Sequence, residues 1–143
     1  IKDVAMILLI IGGSGALKQV LVDSGVSGQI ALLLKDMDMQ PLFLGWLIAA
    51  IIRFCVGSAT VAGLTTAGII LPLMASSNTD PNLMVLAVGA GSLMFSHVND
   101  SGFWMFKEYF NLSMKDTFKS WAIMESIVGI VGLVGVLLLN QII

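Results

Sequence analysis

Long apolar runs, interrupted at a few places by short polar clusters, dominate this sequence. No charged residue lies within 54–79 or within 126–143. Uncharged, mostly apolar runs of about 18 residues or more are candidate transmembrane helices. The pattern predicts an all-α integral membrane region with a first span at about 3–22 and a last span at about 120–139. The less apolar stretch 23–40 is typical of a helix that lies at the membrane interface.

The apolar segment 41–75 has the wrong length for an ordinary span. As one straight helix it would reach roughly 50 Å at about 1.5 Å per residue, well beyond a hydrocarbon core of about 30 Å. Two complete spans with a turn would need about 40 residues or more. Two shorter helices that meet near Gly57-Ser58 fit the length, and Pro41 suits the start of the first. The segment therefore predicts a re-entrant helical hairpin, whose tip must face protein or a water-filled cavity.

The apolar segment 82–106 is interrupted in a different way. The polar run Ser96–Gly102 divides it into two apolar halves. A polar run in the middle of a span predicts a broken helix, because its freed backbone groups can line a cavity and bind a substrate or an ion.

Two glycine clusters predict close contacts between helices rather than a nucleotide site. The stretch Gly12-Gly-Ser-Gly15 matches neither the phosphate-loop pattern nor the dinucleotide-binding pattern. In the last span, Gly129, Gly132 and Gly135 share a small-residue face, which is common where membrane helices pack.

Charge orients the predicted segments. The segment 107–119 is predicted to be a polar loop; it carries three lysines, and the positive-inside rule places such a basic loop in the cytoplasm. The hairpin 41–75 then enters the membrane from outside, and the C-terminus also lies outside. Trp121 marks the interfacial start of the last span. Glu125 is expected to extend toward the same interface, and the alternative for it is a second proton-relay carboxylate.

Composition supports a membrane protein and excludes several other classes. The chain is 57% hydrophobic and 11% charged, with a mean hydropathy of +0.98, whereas soluble domains are about 25% charged. One cysteine and one histidine exclude an intrachain disulfide and a Cys/His zinc set. A net charge of −2 gives no reason to expect nucleic acid as a partner. We expect no metal and no other cofactor.

The predicted hairpin tip carries groups that suit an anion. If a helix begins at Ser58, its first N–H groups are unpaired and attract a carboxylate. Ser58 and Thr60 add hydroxyls beside the flexible Gly57, and Arg53 adds a positive charge about one turn earlier. Ser and Thr often bond to the preceding helical turn instead, but a buried arginine in a membrane is usually functional or paired. The set Arg53, Gly57, Ser58 and Thr60 therefore predicts a carboxylate site.

The predicted helix break holds a second set of candidate residues. His97 and Asp100 can exchange protons there, and Ser96, Asn99 and Ser101 can bond to the hydroxyls of a substrate. A lone histidine is more often a core residue bonded to a carbonyl, but its place beside an aspartate within a helix break favours a function. A hydrolase is not indicated, because there is no G-x-S-x-G elbow and a triad is defined by geometry. We expect no enzyme.

Three stretches of the sequence resemble the gluconate permease family, whose members are proton symporters of gluconate and related sugar acids within the ion transporter superfamily. The likeness covers essentially the whole chain, and the His-Val-Asn-Asp run is its most specific part. We expect 1–143 to be the C-terminal transmembrane region of a longer permease of the bacterial inner membrane. The stretches are Ile11-Gly-Gly-Ser-Gly-Ala-Leu-Lys-Gln-Val-Leu-Val-Asp-Ser-Gly25, Gly57-Ser-Ala-Thr-Val-Ala62 and Phe95-Ser-His-Val-Asn-Asp-Ser-Gly-Phe-Trp104.

The resemblance implies a transporter half with one re-entrant hairpin, so the N-terminal half of the same permease and membrane lipid would be its partners; a homo-oligomer stays open. Ser58-Ala59-Thr60 is similar to the Ser-Asn-Thr tip motif of dicarboxylate relatives, and Ala59 in place of Asn favours proton over sodium coupling. The resemblance implies a secondary active transporter that imports gluconate or a related sugar acid by proton symport. Because related permeases carry idonate, fructuronate or D-serine, a symporter of another small hydroxy- or amino-carboxylate is one alternative. The other alternative is a membrane-embedded structural or assembly subunit, whose polar groups only join helices.

Overall fold

The computed structural model describes most of the chain beyond residue 38. The residues described are 39–76, 79–142 and positions 5, 8, 12, 16, 19, 20 and 23–25, with the side chains of 71–73, 75 and 76 excepted. These residues form helices and connecting turns without a β-strand, as expected for an all-α protein. The span predicted at 3–22, its glycine cluster and the interfacial helix predicted at 23–40 lie largely outside the described residues.

The segment 41–75 contains two helices, α1 (Pro41–Val56) and α2 (Ala59–Ser76). Pro41 occupies the first turn of α1, where its missing N–H would have had no partner within the helix. The helix ends because Gly57 adopts a left-handed φ of 72° and its N–H donates to the carbonyl of Arg53 at 2.8 Å. The two helices pack against each other, so the segment is a helical hairpin with its turn at Gly57-Ser58.

The next part of the chain forms two helices that are separated by a long interruption. They are α3 (Pro81–Gly91) and α4 (Ser101–Tyr109). Residues 92–100 between them are turns and extended backbone, so the break starts before the predicted run Ser96–Gly102. The carboxylate of Asp100 accepts a hydrogen bond from a backbone N–H in the first turn of α4, and this cap starts the second helix.

The longest described helix is α5 (Met114–Leu139), which is also the one described helix long and apolar enough to cross a membrane. Its turn Phe118–Ala122 is π-helical. Large apolar side chains are exposed along most of its length, whereas Gly129, Leu133 and Val136 are buried. A helix with this much uncovered apolar surface is typical of contact with lipid or with further apolar helices.

The prediction of a long basic loop at 107–119 was wrong, because most of this segment is helical. α4 continues to Tyr109, and only Phe110–Ser113 connects it to α5. The hydroxyl of Ser113 accepts a hydrogen bond from the N–H of Asp116 at 3.2 Å, which caps α5 well before the predicted start at residue 120. The lysines had suggested a solvated loop, but lysine is also a good helix former.

α1 lies at the centre of the packing and contacts α2, α3 and α5. Close contacts between helices are made at small residues: a Cβ on Gly129 would lie 2.7 Å from Met94 Sδ, and one on Gly132 would lie 2.8 Å from Ala90 Cβ. A Cβ on Gly135 would meet nothing within 4 Å. Two of the three glycines on the predicted face therefore pack against α3 and the residues that follow it.

Candidate substrate and ion site

The turn of the α1–α2 hairpin and the break between α3 and α4 are in direct contact. The side-chain amide of Asn99 donates to the carbonyl oxygens of Phe54 at 2.8 Å and Cys55 at 3.2 Å, in the last turn of α1. Gly57 lies so close that a Cβ there would overlap the carbonyl of Asn99. The two interruptions predicted from the sequence thus form one place in the fold.

A buried arginine and two carboxylates occupy this place. Arg53 Nη2 donates to Asp100 Oδ2 at 2.6 Å and to Glu125 Oε2 at 3.2 Å. The side chains of these residues are 3%, 12% and 15% exposed, respectively. We call these three residues the Arg53 cluster; it joins the hairpin, the break and α5. A buried ion pair that loses one partner is destabilised by about 3–5 kcal/mol, because the other charge is left uncompensated.

Further donors hold Asp100 in position. Its Oδ2 accepts from the Ser96 hydroxyl, and its Oδ1 accepts from the N–H of Gly102 at 2.9 Å. The Ser96 hydroxyl in turn accepts from Trp121 Nε1 at 2.8 Å. Asp100 therefore acts as a helix cap, an ion-pair partner and a hydrogen-bond acceptor at once, which ties the break to α5.

Three buried polar atoms at this place have no hydrogen-bond partner among the described residues: Arg53 Nε, His97 Nδ1 and Asn99 Oδ1. The ring of His97 packs on that of Phe54, with 4.7 Å between centroids. Buried polar atoms are nearly always bonded, so three such atoms close together indicate a site that can receive polar groups from a ligand. The alternative for His97 was a core histidine whose ring donates to a carbonyl; Nδ1 makes no such hydrogen bond among the described residues.

The remaining predicted residues lie at the edges of the site. Ser58 is the residue before α2, and its Oγ accepts from the N–H of Val61 at 3.4 Å, so it caps the following helix rather than bonding to the preceding turn. Thr60 is exposed and lines an apolar groove of about 500 Å³ between α2 and α3. Ser101 is half-buried at the start of α4. Of these described residues, neither Thr60 nor Ser101 bonds to the Arg53 cluster.

Glu125 and Trp121 do not lie in the positions expected from the sequence, which were at the membrane interface. Both face the break, where they contact Arg53 and Ser96, respectively. Their spacing of four residues places them on the same side of a helix. That spacing, together with the need of an intramembrane arginine for a partner, is the signal that would have identified them.

Comparison with known proteins places the chain among permeases. The model of the GntP family permease matches residues 1–142. The chain is 57% identical over 143 residues to the high-affinity gluconate transporter of Escherichia coli (strain K12). The aligned part is 100% of this chain and 33% of that protein. It is 53% identical over 143 residues to the gluconate permease of Bacillus subtilis (strain 168), covering 100% of this chain and 32% of that protein.

A third relative carries a different sugar acid in its name. The chain is 52% identical over 142 residues to the Gnt-II system L-idonate transporter of Escherichia coli (strain K12), covering 99% of this chain and 32% of that protein. The chain thus spans about a third of the length of these relatives. No solved structure matches it. The match to the family model over almost the whole sequence shows that the chain belongs to the GntP family of permeases.

Proposed function

We propose that the full-length permease containing this chain imports gluconate or a related sugar acid by proton symport. The observation that carries this proposal is the contact between two helix interruptions around the buried Arg53, with unpaired polar atoms of His97 and Asn99 beside it. Relatives named for gluconate and L-idonate support the substrate class. Because the chain spans about a third of those relatives, transport is proposed for the whole permease.

In this proposal one set of groups binds the carboxylate of the substrate, and a second set binds its hydroxyls. Arg53 and the start of α2, at Ser58 and Thr60, bind the carboxylate, since a guanidinium and unpaired N–H groups at a helix start both favour an anion. Ser96, Asn99 and Ser101 bind hydroxyls. The unpaired Asn99 Oδ1 supplies an acceptor for one of them. Flexible Gly57 allows the sharp turn that brings both sets together.

Proton coupling is proposed to involve His97 and Asp100, both in the break. Nδ1 of His97 is buried without a partner among the described residues, and Asp100 lies on Arg53. Both side chains can gain or lose a proton. A proton taken up here would offset the charge of the incoming carboxylate.

We further propose that the α1–α2 hairpin is re-entrant and that the region moves against a scaffold in alternating access. Both helices are apolar and neither reaches about 20 residues. Their turn carries polar groups that would need a cavity at membrane depth. The exposed apolar faces of α5 suit lipid and the N-terminal half of the permease.

Uptake of labelled gluconate into vesicles that contain the full-length permease tests this function. We expect His97→Ala and Asp100→Asn each to lower uptake about tenfold or more, which corresponds to about 1.4 kcal/mol, and to alter its pH dependence. Asp116→Asn is the matched control, because Asp116 is exposed at the start of α5. The coupling roles would be refuted if both site variants kept normal uptake and pH dependence.

Competition in the same assay identifies the substrate. Unlabelled gluconate, idonate, fructuronate and D-serine are added in turn, and the compound that suppresses uptake at the lowest concentration is the preferred substrate. If none of the four compounds is taken up when each is supplied in labelled form, the structural or assembly role is favoured instead.

A further inference from the structure

The Arg53 cluster contains one carboxylate more than its positive charge can balance. Asp100 and Glu125 both contact Nη2 of Arg53, at 2.6 and 3.2 Å. When both acids are ionised, the cluster holds an excess of one negative charge. The substrate carboxylate of the proposed function would bring a second negative charge to the same guanidinium, so one resident carboxylate has to be neutralised or displaced first.

The two carboxylates differ in how firmly they are held. Asp100 accepts from Arg53, from Ser96 and from the N–H of Gly102, so both of its oxygens are engaged. Two of these donors, the guanidinium and the peptide N–H, cannot accept a proton in return. A proton on Asp100 would therefore disrupt contacts that cap α4.

Glu125 is held more loosely. Only its Oε2 contacts Arg53, and that contact is the longer of the two. Ser96 also bonds to the Glu125 carboxylate, and the side chain is 15% exposed, slightly more than the 12% of Asp100. A proton can thus reach Oε1 and bind there without breaking a cap.

The groups that face Glu125 come from each element packed against it. Arg53 faces it from α1, and Asp100 with Ser96 faces it from the break. His97 lies in the same break but packs on Phe54 instead. Charge repulsion from Asp100 favours a proton on Glu125, and attraction from Arg53 opposes it. Adding a substrate anion to Arg53 would shift this balance toward the protonated form.

We propose that Glu125 holds the coupled proton while the substrate is bound, and that its carboxylate exchanges with that of the substrate on Arg53. Asp100 then takes part in coupling through its negative charge, and His97 takes part as a group that passes the proton on. One proton from the aqueous phase binds Oε1 of Glu125, Oε2 leaves Nη2, and the substrate carboxylate takes its place. On release the substrate departs, the proton leaves for the other aqueous phase, and Oε2 returns to Nη2. The cluster has the same charge before binding and after loading, so one proton accompanies each monocarboxylate. The inference rests on the proposed function.

Proton uptake on substrate binding tests the proposal directly. Gluconate is added to the purified full-length permease in weakly buffered detergent solution, and a pH indicator measures the protons taken up per gluconate bound. We expect about one proton per gluconate for the unaltered protein. In the pH range where a full proton is taken up, the apparent affinity for gluconate should weaken about tenfold for each unit by which the pH rises. Glu125→Gln should still bind gluconate, but the number of protons taken up per gluconate should fall at least about tenfold. Its affinity for gluconate should no longer change with pH. Glu108→Gln is the matched control, because Glu108 pairs with Lys107 outside the site.

Transport by the same proteins reconstituted into vesicles separates the outcomes. With Glu125→Gln, accumulation driven by a pH gradient should fall to background, while exchange of labelled for unlabelled gluconate continues within about threefold; Glu125→Asp should restore accumulation. The proposal is overturned if Glu125→Gln still accumulates gluconate or takes up a proton, or if it loses exchange together with accumulation. If the unaltered permease neither binds nor exchanges gluconate, the proposed function itself fails and this inference fails with it.

Discussion

At the scale of single residues, the site depends on a few positions where the backbone and side chains approach unusually closely. Arg53 is 3% exposed and is bonded to carboxylates from two other parts of the chain. Asn99 caps the end of α1 by donating to two of its last carbonyls. These direct hydrogen bonds hold the hairpin turn against the break.

Gly57 is the residue at which a small change should have the largest structural effect. Gly57→Ala would place a methyl group on the carbonyl of Asn99 and force a left-handed conformation on alanine, which alone costs about 1–2 kcal/mol. We expect a clear fall in the thermal unfolding midpoint of the purified full-length permease. Gly68→Ala is the control, because Gly68 lies within α2 with nothing within 4 Å of the added carbon, and alanine favours a helix. Equal midpoints for the two variants would contradict this account.

At the scale of elements, α3 and α5 are held together through small residues. Gly129→Ala would bring a methyl group to 2.7 Å from Met94 Sδ and 2.8 Å from the carbonyl oxygen of Ala90. Overpacking of this kind typically costs about 1–3 kcal/mol. We expect Gly129→Ala to unfold at a lower denaturant concentration than the unaltered protein, measured by loss of helical circular dichroism. Gly135→Ala should unfold like the unaltered protein, since space there is open; a similar loss for both would show that the glycine face does not mediate the contact.

Much of this arrangement could be predicted from the sequence, and the exceptions have physical causes. The length of 41–75 and the Gly57-Ser58 pair indicated two short helices. Both signals lie within the segment itself, so they can be read without knowing its distant neighbours. The limits of α4 and α5 were misjudged because capping by Ser113 outweighed the polar composition of the segment. The pairing of Glu125 with Arg53 joins residues that are far apart in the chain, and a single sequence gives their types but not their distance.

At the scale of the whole molecule, the family and the uncovered apolar surface describe a membrane protein. Lys107 at the end of α4, with Lys115 and Lys119 at the start of α5, predicts which side of the membrane this end of α5 faces. We expect Lys115→Cys, in a permease without other cysteines, to react with a membrane-impermeant maleimide only from the cytoplasmic side. Thr79→Cys, between α2 and α3, should react only from outside. The reverse labelling pattern would invert the proposed orientation.

The π-helical turn Phe118–Ala122 makes α5 sensitive to the number of its residues. Each residue advances a helix by about 100°, and a π turn accommodates one residue more than an α turn. Phe118 and Trp121 meet the aromatic rings of α4, whereas Gly129 and Gly132 meet α3 and the residues that follow it. The surplus residue sets the angle between these two surfaces. Deleting one residue of the turn would therefore rotate one surface away from its partner, even if the contacting residues Phe118, Trp121, Gly129 and Gly132 are all kept. Over evolutionary time the number of residues in this turn should therefore stay constant.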